Sequence, residues 1–291
     1  MSVLILDGGM GQELIKRAGQ ATSLWSVQAL IDQPELVRQV HDEFFAAGAE
    51  VATTNTYSVR PDRMNHHNIG HRFEELQHLA CRHAVEARDA HGGGIVLGGM
   101  SPLGYSYRPE QAPPVEIAAG VFSEMCEIQK PYVDGYILET MGGIDEARGG
   151  LQGCMDHGKP VWLAVSTSDQ DGTRLRSGEP VAEILSLVDE FGPDALLINC
   201  ARPEAVTVAL GEIKDAKTKI GAYANGFTGI VDDFDNDDAT VDMLTARTDL
   251  GPAAYLEHAK DWHALGAHII GGCCEVGPDH IAALAAHFKG D

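Results

Sequence analysis

Residues 195–200 read Ala-Leu-Leu-Ile-Asn-Cys, an apolar run that ends in an amide and a thiol. A helical pattern of apolar residues follows near 203–214. Short, almost continuous apolar runs of this kind are typical of strands that are buried on both faces of a parallel sheet. The stretch therefore predicts one strand–helix unit, with Asn199 and Cys200 at the carboxyl end of its strand.

The same alternation continues along the whole chain. Eight strands are predicted, at Val3–Gly8, Val51–Tyr57, Ile95–Met100, Gly135–Thr140, Val161–Thr167, Ala195–Cys200, Ile220–Ala224 and Ala267–Gly272. Helices are predicted at Pro34–Ala47 and Phe73–Ala90, and near 115–130, 145–157, 181–190, 203–214, 252–265 and 278–288. Such a series of strand–helix units predicts a parallel sheet that is covered by helices.

At a length of 291 residues, eight units favour an α/β fold that closes as a (β/α)8 TIM barrel, with residues 1–291 forming one domain. An open, doubly wound sheet is the alternative. The residues after the first strand, Gly8-Gly9-Met10-Gly11, do not complete the GxGxxG pattern of a dinucleotide-binding fold. The long loops, at 58–70, 101–114, 168–180 and 226–250, all follow strands, and in a barrel those loops form the catalytic face.

The composition is that of a soluble globular enzyme, with 44% hydrophobic and 22% charged residues. A net charge of -22 argues against nucleic acid and anionic membranes as partners. Either solubility or a cationic substrate explains this charge, and the acidic run at 232–238 predicts a solvated loop. Without a membrane span or signal peptide, the expected compartment is the cytoplasm. Three of the six cysteines fall within predicted helices and are expected in the core: Cys81, Cys126 and Cys154.

The other three cysteines lie at the ends of two predicted strands. Cys200 ends the sixth strand, and Cys273 and Cys274 follow the eighth. Three thiolates with an open fourth position are how a protein holds a zinc ion that must also bind a substrate. The adjacent pair alone could be two small buried hydrophobic residues, but the distant third thiol favours zinc. We expect Gly271 and Gly272 to let the backbone bend so that both neighbours face one ion.

Two carboxylates also end apolar runs. Asp7 closes the first strand, and Glu139 follows the apolar residues 136–138 of the fourth. A carboxylate at that depth is costly unless it is paired. Its partner is either a neighbouring arginine or the ammonium group of a substrate, and at the mouth of a barrel we favour the substrate for both residues.

Together these pieces resemble the homocysteine S-methyltransferase family. The matching segments are spread over the whole chain in the family's order: Leu6-Asp7-Gly8-Gly9, Thr54-Asn55-Thr56-Tyr57, Leu138-Glu139-Thr140, Asn199-Cys200 and Gly271-Gly272-Cys273-Cys274. Residues 24–30, which include Trp25, resemble the branch that uses S-methylmethionine.

The resemblance implies a (β/α)8 barrel and a methyltransferase of the EC 2.1.1 class that makes methionine from homocysteine. It implies that Cys200, Cys273 and Cys274 bind zinc and that the homocysteine sulfur is the fourth ligand. By the same resemblance, Asp7 and Glu139 would hold the amino group of homocysteine. Backbone amides near Gly8 and Ser101 would hold the carboxylate of homocysteine. The full set of expected substrate contacts is Asp7, Gly8, Trp25, Tyr57, Ser101, Glu139 and Asn199.

The methyl donor is expected to be a sulfonium, either S-methylmethionine or S-adenosylmethionine, because a small cation suits aromatic walls. Candidates for these walls are Trp25, Tyr57, Tyr105, Tyr107 and Phe227. One alternative is a homocysteine-activating subunit that uses betaine, dimethylsulfoniopropionate or a corrinoid protein. A zinc-dependent barrel hydrolase and a zinc- or thiol-sensing protein are alternatives from other classes. Small molecules are the expected partners, and homo-oligomerisation is left open.

Overall fold

A computed structural model of the chain describes residues 2–19, 21–231, 234 and 240–290. Except for Phe234, the acidic run at 232–238 lies outside the described residues. The eight predicted strands are all present: β1 (Leu4–Ile5), β2 (Val51–Thr53), β3 (Ile95–Met100), β4 (Gly135–Met141), β5 (Val161–Val165), β6 (Ala195–Asn199), β7 (Lys219–Tyr223) and β8 (Ala267–Ile270).

The strands form one parallel sheet that closes on itself. Hydrogen-bonded neighbours follow the order β1-β8-β7-β6-β5-β4-β3-β2. A parallel bridge between Leu6 and Val51 joins the two ends of this series, and the Asp7 amide donates to the Val51 carbonyl at 3.0 Å. The predicted (β/α)8 barrel is therefore confirmed, and the open doubly wound sheet is wrong.

Helices cover the outside of the barrel. The α-helices of the described residues are α1 (Met10–Ala18), α2 (Ser26–Asp32), α3 (Pro34–Ala46), α4 (Pro61–His66), α5 (Phe73–His91), α6 (Val115–Gln129), α7 (Ile144–Cys154), α8 (Leu185–Phe191), α9 (Pro203–Ile213), α10 (Pro252–Ala264) and α11 (Pro278–Lys289). Short 3-10 helices lie at Gly70–Arg72, Pro109–Gln111, Met155–His157, Val181–Ile184 and Val241–Met243. The sequence patterns did not predict α1, α2 or α4, which are short and lie beside the mouth of the barrel. No helix in the described part of the chain is long and apolar enough to cross a membrane.

Two apolar layers hold the barrel together. Inside it, side chains from different strands form one buried cluster that includes Leu97, Ile137, Leu197 and Ile269. A larger cluster fills the space between the strands and the helices, and Cys81, Cys126 and Cys154 are fully buried within it, as predicted. Because side chains two residues apart share a face of a strand, Glu139 points into the barrel above Ile137.

Several strands end earlier than predicted, because their last polar residues turn into loops. β2 stops at Thr53, and the Thr54 hydroxyl then accepts a hydrogen bond from the Gly99 amide at 2.9 Å. β8 stops at Ile270, so the glycines and cysteines that follow lie on a loop. The predicted site residues thus stand at the rim of the barrel, where loop geometry decides their directions.

Candidate metal and substrate site

A cavity lies at the carboxyl ends of the strands, and its empty space, including open solvent at its mouth, is about 970 Å³. This is the end at which barrel enzymes place their active sites. The cavity wall brings together most of the residues predicted from the sequence: Asp7, Gly8, Trp25, Tyr57, Glu139, Cys200, Cys273 and Cys274.

The three predicted sulfur ligands form one cluster in this wall. Their Sγ atoms all lie within 4.8 Å of one another, although Cys200 is far from the other two in sequence. Cys200 and Cys273 are joined as a disulfide with Cα atoms 5.7 Å apart, and the Cys274 Sγ atom lies 4.0 Å from that of Cys273. The disulfide and a bound metal are alternative uses of the same atoms, because a metal needs the reduced thiolates.

The glycines before the cysteine pair have a different role from the one predicted. Neither Gly271 nor Gly272 has a positive φ, so conformational freedom is not their contribution. A Cβ atom on Gly271 would collide with Leu6, and one on Gly272 would collide with Val276. The absence of side chains therefore lets the loop pass close to β1 and places both cysteines at the cavity.

Asp7 and Glu139 are the two carboxylates that face the cavity. The Asp7 Oδ2 atom accepts from the Thr53 amide at 2.8 Å, and the Glu139 Oε1 atom accepts from the Tyr223 hydroxyl at 3.1 Å. Among the described residues, neither carboxylate forms a salt bridge, so the arginine alternative is wrong. Burial raises the pKa of Glu139 to about 7, and burial, reinforced by the nearby Glu139 charge, raises the pKa of Asp7 well above its usual value. Both groups are therefore suited to receive a cation.

Aromatic rings close the outer part of the cavity. The ring of Trp25 stacks on Tyr57 with centroids 6.2 Å apart and meets Phe234 at 5.6 Å. Phe227 and Tyr107 line the same space. The Arg63 guanidinium lies 4.5 Å from the centre of the Trp25 ring, so a cation of the protein itself already occupies part of the surface predicted for a donor.

Two predicted contacts lie behind the cavity wall. The Asn199 side chain accepts from the Thr140 amide and donates to the Thr140 hydroxyl, both at 3.1 Å. It thereby supports Thr140, which lines the cavity with a φ of 63°. The Ser101 hydroxyl donates to the Tyr57 carbonyl at 2.6 Å. Both residues are fully buried and support residues of the wall instead of forming it.

Several wall residues were missed by the sequence patterns, among them Gln12, Phe234 and Leu244. Gln12 lies on α1, whose existence was not predicted, and it lines the cavity together with Cys274. Glu275, which follows the cysteines, lies outside the wall with Oε2 3.9 Å from the Lys16 ammonium. For Gln12, the one signal in the sequence was its position shortly after the end of β1.

The sulfur cluster fits a metal ion by the chemistry of its donors. Three sulfurs suit a soft or borderline divalent ion in a tetrahedral arrangement, and all three face the cavity, which leaves one side for a further ligand. Burial raises the pKa of the Cys274 thiol to about 12, so the thiol keeps its proton until a metal displaces it.

Fold and site together define a (β/α)8 barrel in which a three-sulfur cluster suited to a metal ion and two acidic side chains line one cavity. The sequence model of the homocysteine S-methyltransferase family matches residues 4–288, and the chain belongs to that family of methyltransferases. The family predicted from the sequence motifs is thereby confirmed.

Relatives that match almost the whole of this chain support this assignment. The chain is 27% identical to homocysteine S-methyltransferase YbgG of Bacillus subtilis, over 98% of this chain and 94% of that protein. It is 27% identical to the S-methylmethionine–homocysteine S-methyltransferase BHMT2 of Rattus norvegicus, over 97% and 77%. The metallated form of the homocysteine methyltransferase MmuM of Escherichia coli superimposes with a TM-score of 0.82 at 26% identity, over 99% of this chain and 96% of that one.

Proposed function

We propose that this protein transfers a methyl group from a sulfonium donor to the thiol of homocysteine and so makes methionine. One observation carries the proposal: a three-sulfur cluster and two carboxylates that pair with no described basic residue line the same cavity. The sulfurs suit a metal that binds a thiol, and the carboxylates suit an ammonium group. Homocysteine carries both of these groups on one short chain.

Zinc is the metal we propose for Cys200, Cys273 and Cys274. Three thiolates with one open position are typical of zinc sites that bind a substrate. Bound there, zinc would strip the proton from a thiol whose pKa is ordinarily near 8.5 and keep it as a thiolate at neutral pH. Such ligands must be reduced, which fits the cytoplasm as the place of action.

The protein's own residues would position homocysteine. Asp7 and Glu139 would accept hydrogen bonds from its ammonium group. Helix α1 begins at Met10, and its first residues line the cavity next to Gly8. Free backbone amides at the start of a helix bind anions, so this end of α1 is our proposed site for the substrate carboxylate.

The donor would enter from the aromatic side of the cavity. Among the described residues of the wall, Asp7 and Glu139 are the only charged ones. A donor with a net positive charge is therefore favoured over betaine and dimethylsulfoniopropionate, which are electrically neutral overall. S-Methylmethionine is our first choice, because it is a small sulfonium with a net positive charge, and S-adenosylmethionine is the second. Trp25 and Tyr57 would form part of the donor site.

The methyl transfer itself needs no general base, because the attacking sulfur is already a thiolate. The homocysteine thiolate forms a bond to the methyl carbon, the bond from that carbon to the donor sulfur breaks, and its electron pair stays on the donor. The sulfonium then leaves as a neutral thioether. Charge is neutralised as the groups meet, so a cavity closed by apolar rings should favour the reaction.

A donor panel tests this proposal. Reduced, zinc-loaded protein is incubated with homocysteine and, in separate reactions, S-methylmethionine, S-adenosylmethionine, betaine, dimethylsulfoniopropionate and methylcobalamin. Methionine should form from S-methylmethionine at the highest rate. Formation from methylcobalamin alone would instead favour a homocysteine-activating subunit, and no methionine from any donor would reject the function.

A further inference from the structure

A buried ion pair lies behind the sulfur cluster, outside the cavity wall. The Arg176 Nη1 atom lies 2.9 Å from the Asp169 Oδ2 atom, and the two side chains are 9% and 1% exposed. Both residues belong to the loop after β5. Because burying two charges costs as much as their attraction returns, such a pair is weak evidence for stability alone. The contacts made by the rest of each side chain indicate what the pair does.

The remaining nitrogens of Arg176 converge on Cys200. Its Nη2 atom donates to the Cys200 carbonyl at 3.3 Å, and its Nε atom donates to the Ser166 hydroxyl at 3.2 Å. The Ser166 hydroxyl in turn donates to the same Cys200 carbonyl at 3.3 Å. Cys200 has a φ of 49°, a left-handed conformation that is costly for a residue with a side chain. Two donors on its carbonyl hold the residue in that conformation, and its conformation sets the direction of the sulfur.

Tyr107 extends this contact to the sulfur itself. The guanidinium carbon of Arg176 lies 5.0 Å from the centre of the Tyr107 ring, and the Tyr107 hydroxyl lies 3.3 Å from the Cys200 sulfur, to which it donates. Arg176 therefore reaches Cys200 twice, through the carbonyl and through the ring of Tyr107.

Asp169 makes the corresponding contacts on its other side. Its Oδ1 atom accepts from the Arg202 amide at 2.9 Å, just after Cys200 in the chain. Its Oδ2 atom accepts from the Ile230 amide at 3.0 Å. Ile230 packs against the cavity cap, by which we mean the buried cluster of Phe227, Phe234 and Leu244. The Asp169 carboxylate thus holds both the backbone just after Cys200, at Arg202, and the cavity cap, at Ile230.

We propose that the Asp169–Arg176 pair is a positioning unit that orients the Cys200 sulfur and links it to the cavity cap. The proposal rests on the proposed function, in which Cys200 is a metal ligand. Partners of this kind, one contact removed from a metal, fix the direction of its ligands, and their loss costs about ten- to a hundredfold in metal affinity.

The test compares Arg176→Met, Asp169→Asn and Tyr107→Phe with wild type, all reduced. Arg148→Met is the matched control, because Arg148 also pairs with a carboxylate, Glu190 at 2.7 Å, and lies over a ring, that of Phe191, but on the outside of the barrel. Zinc affinity is measured by competition with a chromophoric chelator. Cobalt-substituted protein reports the sulfur geometry through its sulfur-to-cobalt absorption bands.

We expect Arg176→Met to lose about ten- to a hundredfold in zinc affinity and to shift the cobalt bands, whereas Arg148→Met behaves as wild type. Tyr107→Phe, which removes only one hydroxyl, should shift the bands in the same direction and lose less affinity. The Michaelis constant for the donor should rise in Asp169→Asn because the cap is released. Unchanged zinc affinity and unchanged cobalt bands in both Arg176→Met and Tyr107→Phe would overturn the proposal.

A second readout needs no metal. In reduced apoprotein, the rate at which iodoacetamide alkylates Cys200 is measured by peptide mass, relative to Cys274 in the same chain. The ratio should rise in Arg176→Met and Tyr107→Phe but not in Arg148→Met, and an unchanged ratio would overturn the positioning role. If wild type binds no zinc or makes no methionine, the proposed function fails, while this ratio still decides whether the pair orients Cys200.

Discussion

Replacing Glu139 by glutamine is expected to weaken homocysteine binding while stabilising the unliganded protein. Glutamine keeps the shape of the side chain and can still accept from the Tyr223 hydroxyl, but it has no charge for an ammonium group. A hydrogen bond to a charged group contributes about 1.5–3 kcal/mol, which corresponds to about ten- to a hundredfold in affinity.

The effect on stability has the opposite sign. Burial raises the pKa of Glu139 to about 7 in the folded protein, above its usual value near 4.5. Between these two values the folded state binds more protons than the unfolded state, so the free energy of unfolding falls as pH rises from 4.5 to 7. Above pH 7, the ionised Glu139 lowers the free energy of unfolding by at most about 3 kcal/mol. The bound is an upper one because the side chain also reaches the open cavity, where solvent screens its charge. Glu139→Gln removes this penalty, and the variant should melt at a higher temperature than wild type at pH 8.

Calorimetric titration with homocysteine at several pH values measures the first effect, and thermal unfolding without ligand measures the second. Wild-type affinity should rise more steeply than that of the variant as pH increases through about 7, because Glu139 ionises only in the wild type, whereas both proteins share the rise that comes from loss of the thiol proton. Glu146→Gln is the matched control. Burial also raises the pKa of Glu146 to about 7, but its carboxylate accepts from the Gly142 amide at 2.5 Å and lies outside the cavity wall. If Glu139→Gln binds homocysteine as tightly as wild type at pH 8, Glu139 does not hold the substrate.

Three further predictions concern the metal, the donor and the wall. Purified reduced protein should contain about one zinc per chain by metal analysis, and Cys200→Ala should lose it; full zinc and activity in that variant would contradict the ligand assignment. Trp25→Ala should raise the Michaelis constant for the sulfonium donor through loss of about 0.5–2 kcal/mol of cation–π attraction, and homocysteine binding should stay near normal. An equal loss of affinity for both substrates would show that Trp25 is not specific to the donor site. Asn199→Ala should lower stability by about 1–3 kcal/mol in denaturant titration, because Thr140 loses two hydrogen bonds in a left-handed conformation, and an unchanged midpoint would show that Thr140 needs no such support.

The sequence by itself determined the barrel and the identity of its main chemical groups. Strand β6 is apolar over residues 195–198 because both of its faces are buried, and this pattern is visible without coordinates. The placement of Cys200, Cys273 and Cys274 at strand ends followed from the same pattern, since the carboxyl ends of parallel strands in a barrel share one face. Short elements beside the mouth, such as α1, were missed because they lack a long periodic signal.

Only the tertiary structure decided which polar residues face the cavity and which support it. Asn199 and Cys200 are neighbours in sequence, yet the amide turns back to Thr140 while the thiol joins the sulfur cluster. The loop after β5, which carries Asp169 and Arg176, gave no chemical signal in the sequence, but it lies against Cys200, Tyr107 and the cavity cap. Such roles depend on the direction of a side chain at the end of a strand, and that direction is set by backbone conformation and by contacts with residues distant in sequence.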